Sequence, residues 1–139
     1  MKTKYLAHTV DEMQELGMAL SQELSTPILC YFSGDLGAGK TTLIQGLLKG
    51  YGYAGAVTSP TYNLVHEYPL EDKTVYHLDL YRLQTDEELE ALGFRDLFSD
   101  SSVLLVEWPQ KAEAVLPEPD YYIQINKQDG VRTVELRKG

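Results

Sequence analysis

Cysteine is nearly absent from this sequence: the only one is Cys30, inside the apolar run ILCYF. A single thiol excludes a disulfide within the chain, so the fold rests on its core, and a reducing compartment suits it. A thiol in the middle of an apolar strand reads as structural, not nucleophilic. Basic charge is also scarce, with 12 Lys and Arg against 21 Asp and Glu and a net charge of −9. There is no dense Lys/Arg run. Nucleic-acid affinity depends on neutralising phosphates, so tight direct binding to RNA or DNA is not expected. The acidic excess suits solubility and steering toward a basic partner patch; a solvated acidic face is the plainer reading. Long apolar runs are missing as well. Nothing approaches the ~20 residues of a membrane span, and MKTKYLAHTVDEM has no apolar signal core. A cytoplasmic location is expected. Repeats, low-complexity tracts and long linkers are absent, and 139 residues suggest one domain spanning the chain, 1–139, with little room for a second.

What is present begins with helical and strand patterning. Thr9 followed by Glu12 has the spacing of a capping box, and Met13, Leu16, Leu20 and Leu24 mark one helical face, stopped by Thr26-Pro27. ILCYF predicts a fully buried strand. Residues 40 to about 49 predict a second helix ended by Gly50 and Gly52. A strand from about Asn63 to Tyr68, another in TVYHLDLYRL, a short helix in DEELEALG and an apolar strand in SSVLLVEW follow. YYIQINKQDGVRTVEL alternates on both sides of a turn and predicts a β-hairpin. Early strand–helix alternation with late strand pairing predicts a three-layer α/β/α domain. Its sheet would be mixed, parallel at the centre and antiparallel elsewhere.

The stretch GDLGAGKTT carries the chemistry. Gly34, Gly39, Lys40 and Thr41 complete the pattern G-x-x-x-x-G-K-[ST]. Its glycines let successive backbone N–H groups turn inward on phosphate oxygens. The following helix adds the positive end of its dipole. Lys40 would reach the β- and γ-phosphates, and the Thr41 hydroxyl would ligate Mg²⁺. The pattern alone is degenerate; its place between a buried strand and a helix makes it a P-loop. A glycine turn that binds nothing would not explain a lysine at the helix start.

A Mg²⁺-nucleotide site also needs an acid at a neighbouring strand end. Glu107 follows VLLV, and Asp79 lies in YHLDLYRL. Glu107 is assigned to the metal, directly or through water. Asp79 is assigned either to positioning the attacking water or to a place one layer out from the metal. In VTSPTYN, any of Thr58, Ser59 or Thr61 could sense the γ-phosphate, as switch loops do; a plain proline turn is the alternative. Trp108, the only tryptophan, directly follows Glu107 and is expected near the nucleotide or a partner surface.

NKQD at 126–129 matches the guanine-reading signature N-K-x-D. That signature belongs after a buried parallel strand, whereas here it sits between two alternating runs at a turn ending in Gly130. A D-x-x-G switch is missing after Asp79. We therefore read the stretch as a hairpin.

Together, GDLGAGKTT, VTSPTYNLVHEY, YHLDLYRL with DEELEALG, LLVEWPQK and the late VRTVEL resemble the bacterial TsaE (YjeE) family across nearly the whole chain. The resemblance implies a small P-loop ATPase needed to make threonylcarbamoyladenosine in tRNA. It would act with the TsaB–TsaD protein pair and meet tRNA only through that pair, with no membrane involved. It implies ATP and Mg²⁺ as ligands. Gly37, Ala38, Gly39, Lys40, Thr41 and Thr42 would hold the phosphates, Thr41 and Glu107 would bind Mg²⁺, and Asp79 would lie beside the γ-phosphate. Thr9 and Arg132 match positions near the nucleotide. Lys40, Asp79 and Glu107 would be the catalytic set. The acidic charge then fits, since only the partner need carry a basic surface.

Two rivals stand beside an ATPase that remodels its partner. One is a nucleotide-gated binding module whose hydrolysis is incidental. The other is a small-molecule kinase, disfavoured because 139 residues leave little space for a lid and a second substrate pocket. No arginine cluster completes a transition state, so slow hydrolysis alone and faster hydrolysis with a partner are expected.

Overall fold

A computed structural model describes residues 2–24, 26–35, 37–55 and 64–139. Thr58, Ser59 and Thr61 lie outside the described residues. Along the chain run β1 (Lys2–Ala7), α1 (Val10–Leu20), β2 (Ile28–Ser33), α2 (Lys40–Tyr51), β3 (Val65–Pro69), β4 (Thr74–Asp79), α3 (Asp86–Ala91), β5 (Ser102–Glu107), β6 (Tyr121–Gln128) and β7 (Val131–Lys138). Short 3-10 helices at Phe94–Leu97 and Pro109–Ala112 follow α3 and β5.

The strands form one sheet in the order β1-β7-β6-β2-β5-β4-β3. Its centre is parallel, β2 pairing with both β5 and β6 and β5 with β4. Its flanks are antiparallel, through β3/β4 on one side and β6/β7/β1 on the other. The mixed sheet is the expected one. β2 and β5 are apolar along their length because both of their faces are covered. On one face, Cys30, Phe32, Val103 and Leu105 pack under α1 and α2. On the other, Tyr31, Leu104 and Val106 pack under Leu89 of α3 and Phe94. The chain is thus a three-layer α/β fold. Each fully buried Leu in these layers contributes roughly 1.5–3 kcal/mol.

Local signals set most boundaries. Thr9 caps α1, its Oγ1 accepting from Glu12 N at 3.0 Å. The reciprocal arm lands one residue early, with Glu12 Oε1 accepting from His8 N at 3.0 Å. In α3 the box is complete, between Thr85 and Glu88. The predicted hairpin is present. Its two turn residues, Asp129 and Gly130, both have positive φ, 53° and 80°, as a type I′ turn requires. Within it Asn126 pairs with Thr133 and Lys127 with Arg132, which accounts for NKQD without a base.

Three differences have physical causes. β1 carries no strong sequence signal, since it is an edge strand exposed over most of its length; its pairing with β7 makes it a strand. Gly50 does not end α2, which continues to Tyr51 and is capped by Gly52. Gly50 is there for packing, because a Cβ would sit 2.0 Å from Ser21 Oγ on the facing turn. β4 stops at Asp79, where the chain turns through Leu80 to Leu83.

Candidate nucleotide-phosphate site

Because β2, β5 and β4 are parallel, their carboxyl ends lie along one edge of the sheet. Crevices at such edges are where open α/β sheets bind ligands. β2 leads into the glycine loop and then α2. Gly34, Gly37 and Gly39 have φ of 153°, 79° and 111°, values that other residues rarely adopt. Gly39 is also the N-cap of α2 and has no capping side chain, so the helix meets the loop with its first turn of N–H groups. Gly37, Gly39, Lys40, Thr41 and Thr42 line one side of a cavity of about 310 Å³. Asp79, Glu107, Trp108 and Arg132 line the rest.

Lys40 is buried, with only 5% of its surface exposed. Its ammonium donates to Gly34 O at 2.5 Å and lies 4.0 Å from the centre of the Trp108 ring. Burial lowers its pKa, opposed by the negative charges of Glu107, Asp79 and Asp35. Trp108 reaches this place because it leaves β5 in the left-handed conformation, φ 57°, which turns the chain into the following 3-10 helix. It also touches Tyr81, ring centres 5.0 Å apart.

Asp79 and Glu107 end adjacent strands in register and face the same cavity. Asp79 is half-buried. Burial raises its carboxyl above the usual range and the charge of Glu107 adds to this, while a hydrogen bond from Tyr81 N at 3.1 Å works the other way. Glu107 is buried at 4% exposure, and its Oε2 is 2.5 Å from Nε2 of His77, which is itself wholly buried. A buried carboxylate without such a partner would carry a large desolvation cost. Sequence reasoning missed His77. Strand alternation was the available signal: it puts His77 on the face of Val75 and Asp79, where an apolar residue is the default.

Ala38 is buried, and its carbonyl accepts from Arg132 Nε at 2.8 Å. That contact, also not read from the sequence, ties the hairpin to the glycine loop. Thr9 does not line the cavity; its hydroxyl is engaged as the cap of α1. It follows closely on Ala7, which pairs in register with Arg132, so both stand at the β1–β7 end of the loop. Cys30 is fully buried with its thiol pKa pushed up, as expected of a structural thiol. A cavity of about 390 Å³ between Tyr31, Tyr122 and Pro117 is distinct from the glycine loop.

The donor set suits Mg²⁺ with a nucleotide. Among the described residues no cluster of three His, Cys, Asp or Glu could hold a metal by itself. Mg²⁺ commonly takes one or two protein oxygens and completes its shell with phosphates and water. Thr41 and Glu107 offer such oxygens, and the glycine loop with Lys40 offers the anion cradle.

The family model for threonylcarbamoyl adenosine biosynthesis protein TsaE matches residues 7–134. The chain belongs to the TsaE family. Among curated TsaE proteins, that of Haemophilus influenzae is 51% identical over 109 residues, covering 78% of this chain and 69% of the relative. That of Rickettsia conorii is 35% identical over 117 residues, covering 84% of this chain and 65% of the relative. The matches thus span about two thirds of these relatives' own length. Both carry the name tRNA threonylcarbamoyladenosine biosynthesis protein. The crystal structure of Bacillus subtilis YdiB superposes with a TM-score of 0.76 at 24% identity, covering 99% of this chain and 86% of that one. This likeness supports the mixed-sheet α/β fold. The TsaE family, by its description, serves threonylcarbamoyladenosine biosynthesis. No helix among the described residues is long and apolar enough to cross a membrane.

Proposed function

We propose that the protein is a Mg²⁺-dependent ATPase that supports threonylcarbamoyladenosine formation in tRNA by acting on the TsaB–TsaD pair in the cytoplasm. The observation that carries the reading is the convergence of Lys40, Asp79 and Glu107 on one cavity beside a glycine loop. The loop from Gly37 to Thr42 binds the phosphates through backbone N–H groups. Lys40 leaves Gly34 O and the Trp108 ring to pair with the β- and γ-phosphates. Thr41 and Glu107 would hold Mg²⁺, which would neutralise negative charge on the phosphates. Asp79 orients a water in line with the γ-phosphorus. The new P–O bond forms to that water, whose proton passes to a γ-phosphoryl oxygen, the bond to the β,γ-bridging oxygen breaks, and ADP and phosphate leave. Arg132 bounds the site at the β1–β7 end, with Thr9 behind it as the cap of α1.

The net charge of −9 favours contact with a basic protein surface over contact with tRNA. Phosphate release from Mg-ATP, measured for the protein alone and with purified TsaB and TsaD, tests the reading. Slow release that the pair accelerates supports it. Full stimulated turnover by Lys40→Ala would remove the site assignment.

A nucleotide-gated binding module is the second reading. It is favoured by Arg132, whose Nε is held by Ala38 O, so that this donor ties the hairpin to the glycine loop. If a non-hydrolysable ATP analogue sustains many rounds of tRNA modification, this reading replaces the first.

A further inference from the structure

His77 has no role in the reaction just described. It does not line the cavity, it is wholly buried on β4, and it occupies a strand position that an apolar residue would fill at less cost. Its Nε2 stands 2.5 Å from Glu107 Oε2. Its Nδ1 is buried and, among the described residues, has no hydrogen-bonding partner.

We propose that His77 is a positioning residue: its ring Nε2, hydrogen-bonded to Glu107, fixes that carboxylate to present its other oxygen to the divalent cation. The inference rests on the Mg²⁺-nucleotide reading above. Two steps carry it. A carboxylate oxygen accepts, so the ring nitrogen facing it is the donor. A second N–H at Nδ1 would be buried without an acceptor, so Nδ1 stays bare and the surroundings select one tautomer. With Oε2 engaged, the Glu107 rotamer is locked and Oε1 is the oxygen left for the metal. Donors of this kind behind a metal ligand typically govern affinity by 10–100-fold. His77 and Glu107 lie on adjacent parallel strands, so the bond is built into the sheet before any ligand arrives.

Two measurements on the full chain test this. Long-range ¹H–¹⁵N NMR of the unsubstituted protein reads the tautomer directly: hydrogen on Nε2 of His77 supports the assignment, and hydrogen on Nδ1 overturns it. Mn²⁺ binding with a non-hydrolysable ATP analogue, followed by EPR, reads the consequence. His77→Leu should weaken Mn²⁺ by about 10–100-fold. His77→Gln, whose amide nitrogen can stand near the Nε2 position, should restore most of the loss. Metal-free nucleotide affinity should be unchanged in both. Unchanged Mn²⁺ affinity in His77→Leu overturns the proposal. Should that variant not fold, His77→Asn takes its place: its shorter amide should not reach Glu107, and Mn²⁺ affinity equal to that of His77→Gln overturns the proposal. If the unsubstituted protein binds nucleotide but no Mn²⁺, the ATPase reading falls and this inference falls with it. If the unsubstituted protein binds Mn²⁺ and the variants match it, only the role of His77 is lost.

Discussion

Asp79 and Glu107 are paired in register across β4 and β5, so two carboxylates stand side by side at the carboxyl edge of the sheet. Their surroundings differ. Glu107 is buried against His77, whereas Asp79 is half-buried, bonded to Tyr81 N, and raised above the usual carboxylate range by desolvation. Glu107 is fixed from a neighbouring strand, Asp79 only from its own turn.

The raised pKa of Asp79 has a stability consequence. Its ionised form is less favoured in the folded than in the unfolded chain. That penalty is present at neutral pH and fades as pH falls through the folded pKa toward the unfolded value of about 3.9. Asp79→Asn should therefore raise the melting temperature of the nucleotide-free protein at pH 7, by no more than about 4 °C. Its advantage over the parent should shrink on acidification toward pH 4. The same variant should lose about 10²–10⁴-fold in ATP hydrolysis. Melting curves across pH, with phosphate release alongside, check both parts; a lower melting temperature at pH 7 contradicts the first.

Lys40 lies 4.0 Å from the Trp108 ring, and Trp108 is the only tryptophan. Moving the ammonium to a phosphate removes a cation from the ring face. Mg-ATP should change the indole emission. Lys40→Ala should shift the emission without nucleotide and abolish most of the response to ATP. A flat titration of the parent protein at saturating ATP would refute the coupling.

The α1–α2 contact depends on absent side chains. A Cβ at Gly46 would sit 2.2 Å from Gln14 O, and one at Gly17 would sit 2.4 Å from Leu43 O. Both neighbours are backbone atoms, which cannot swing aside. Gly46→Ala should cost about 1–3 kcal/mol in denaturant unfolding through overpacking. An unchanged midpoint would mean the helices can part cheaply.

Asp129 has φ 53° in the hairpin turn, a conformation that asparagine also tolerates. Asp129→Asn should leave stability within about 0.5 kcal/mol and leave the ratio of ATP to GTP affinity unaltered. A changed ratio would reinstate NKQD as a base reader. Gly130→Ala, also at positive φ, should cost about 1–2 kcal/mol.

How much was legible in the sequence follows from the range of each signal. The glycine loop, the buried strands ILCYF and VLLVE, the capping residue Thr9 and the turn ending in Gly130 are local patterns, and each acts within a few residues of itself. They were sufficient for the layers, the mixed sheet and the two carboxylates. β1 was not legible, because KTKYLA becomes a strand only by pairing with β7 at the other end of the chain.

The sequence by itself determined a strand–loop–helix unit fit for phosphate, because backbone conformation and periodic burial are written in adjacent residues. Only the tertiary structure decided what surrounds that unit. Sheet register set Asp79 beside Glu107, placed His77 against Glu107, and brought Arg132 from the hairpin to Ala38 O. The left-handed turn at Trp108 laid its ring over Lys40. These contacts join residues far apart in the chain, and strand pairing fixes them only once the whole sheet has formed.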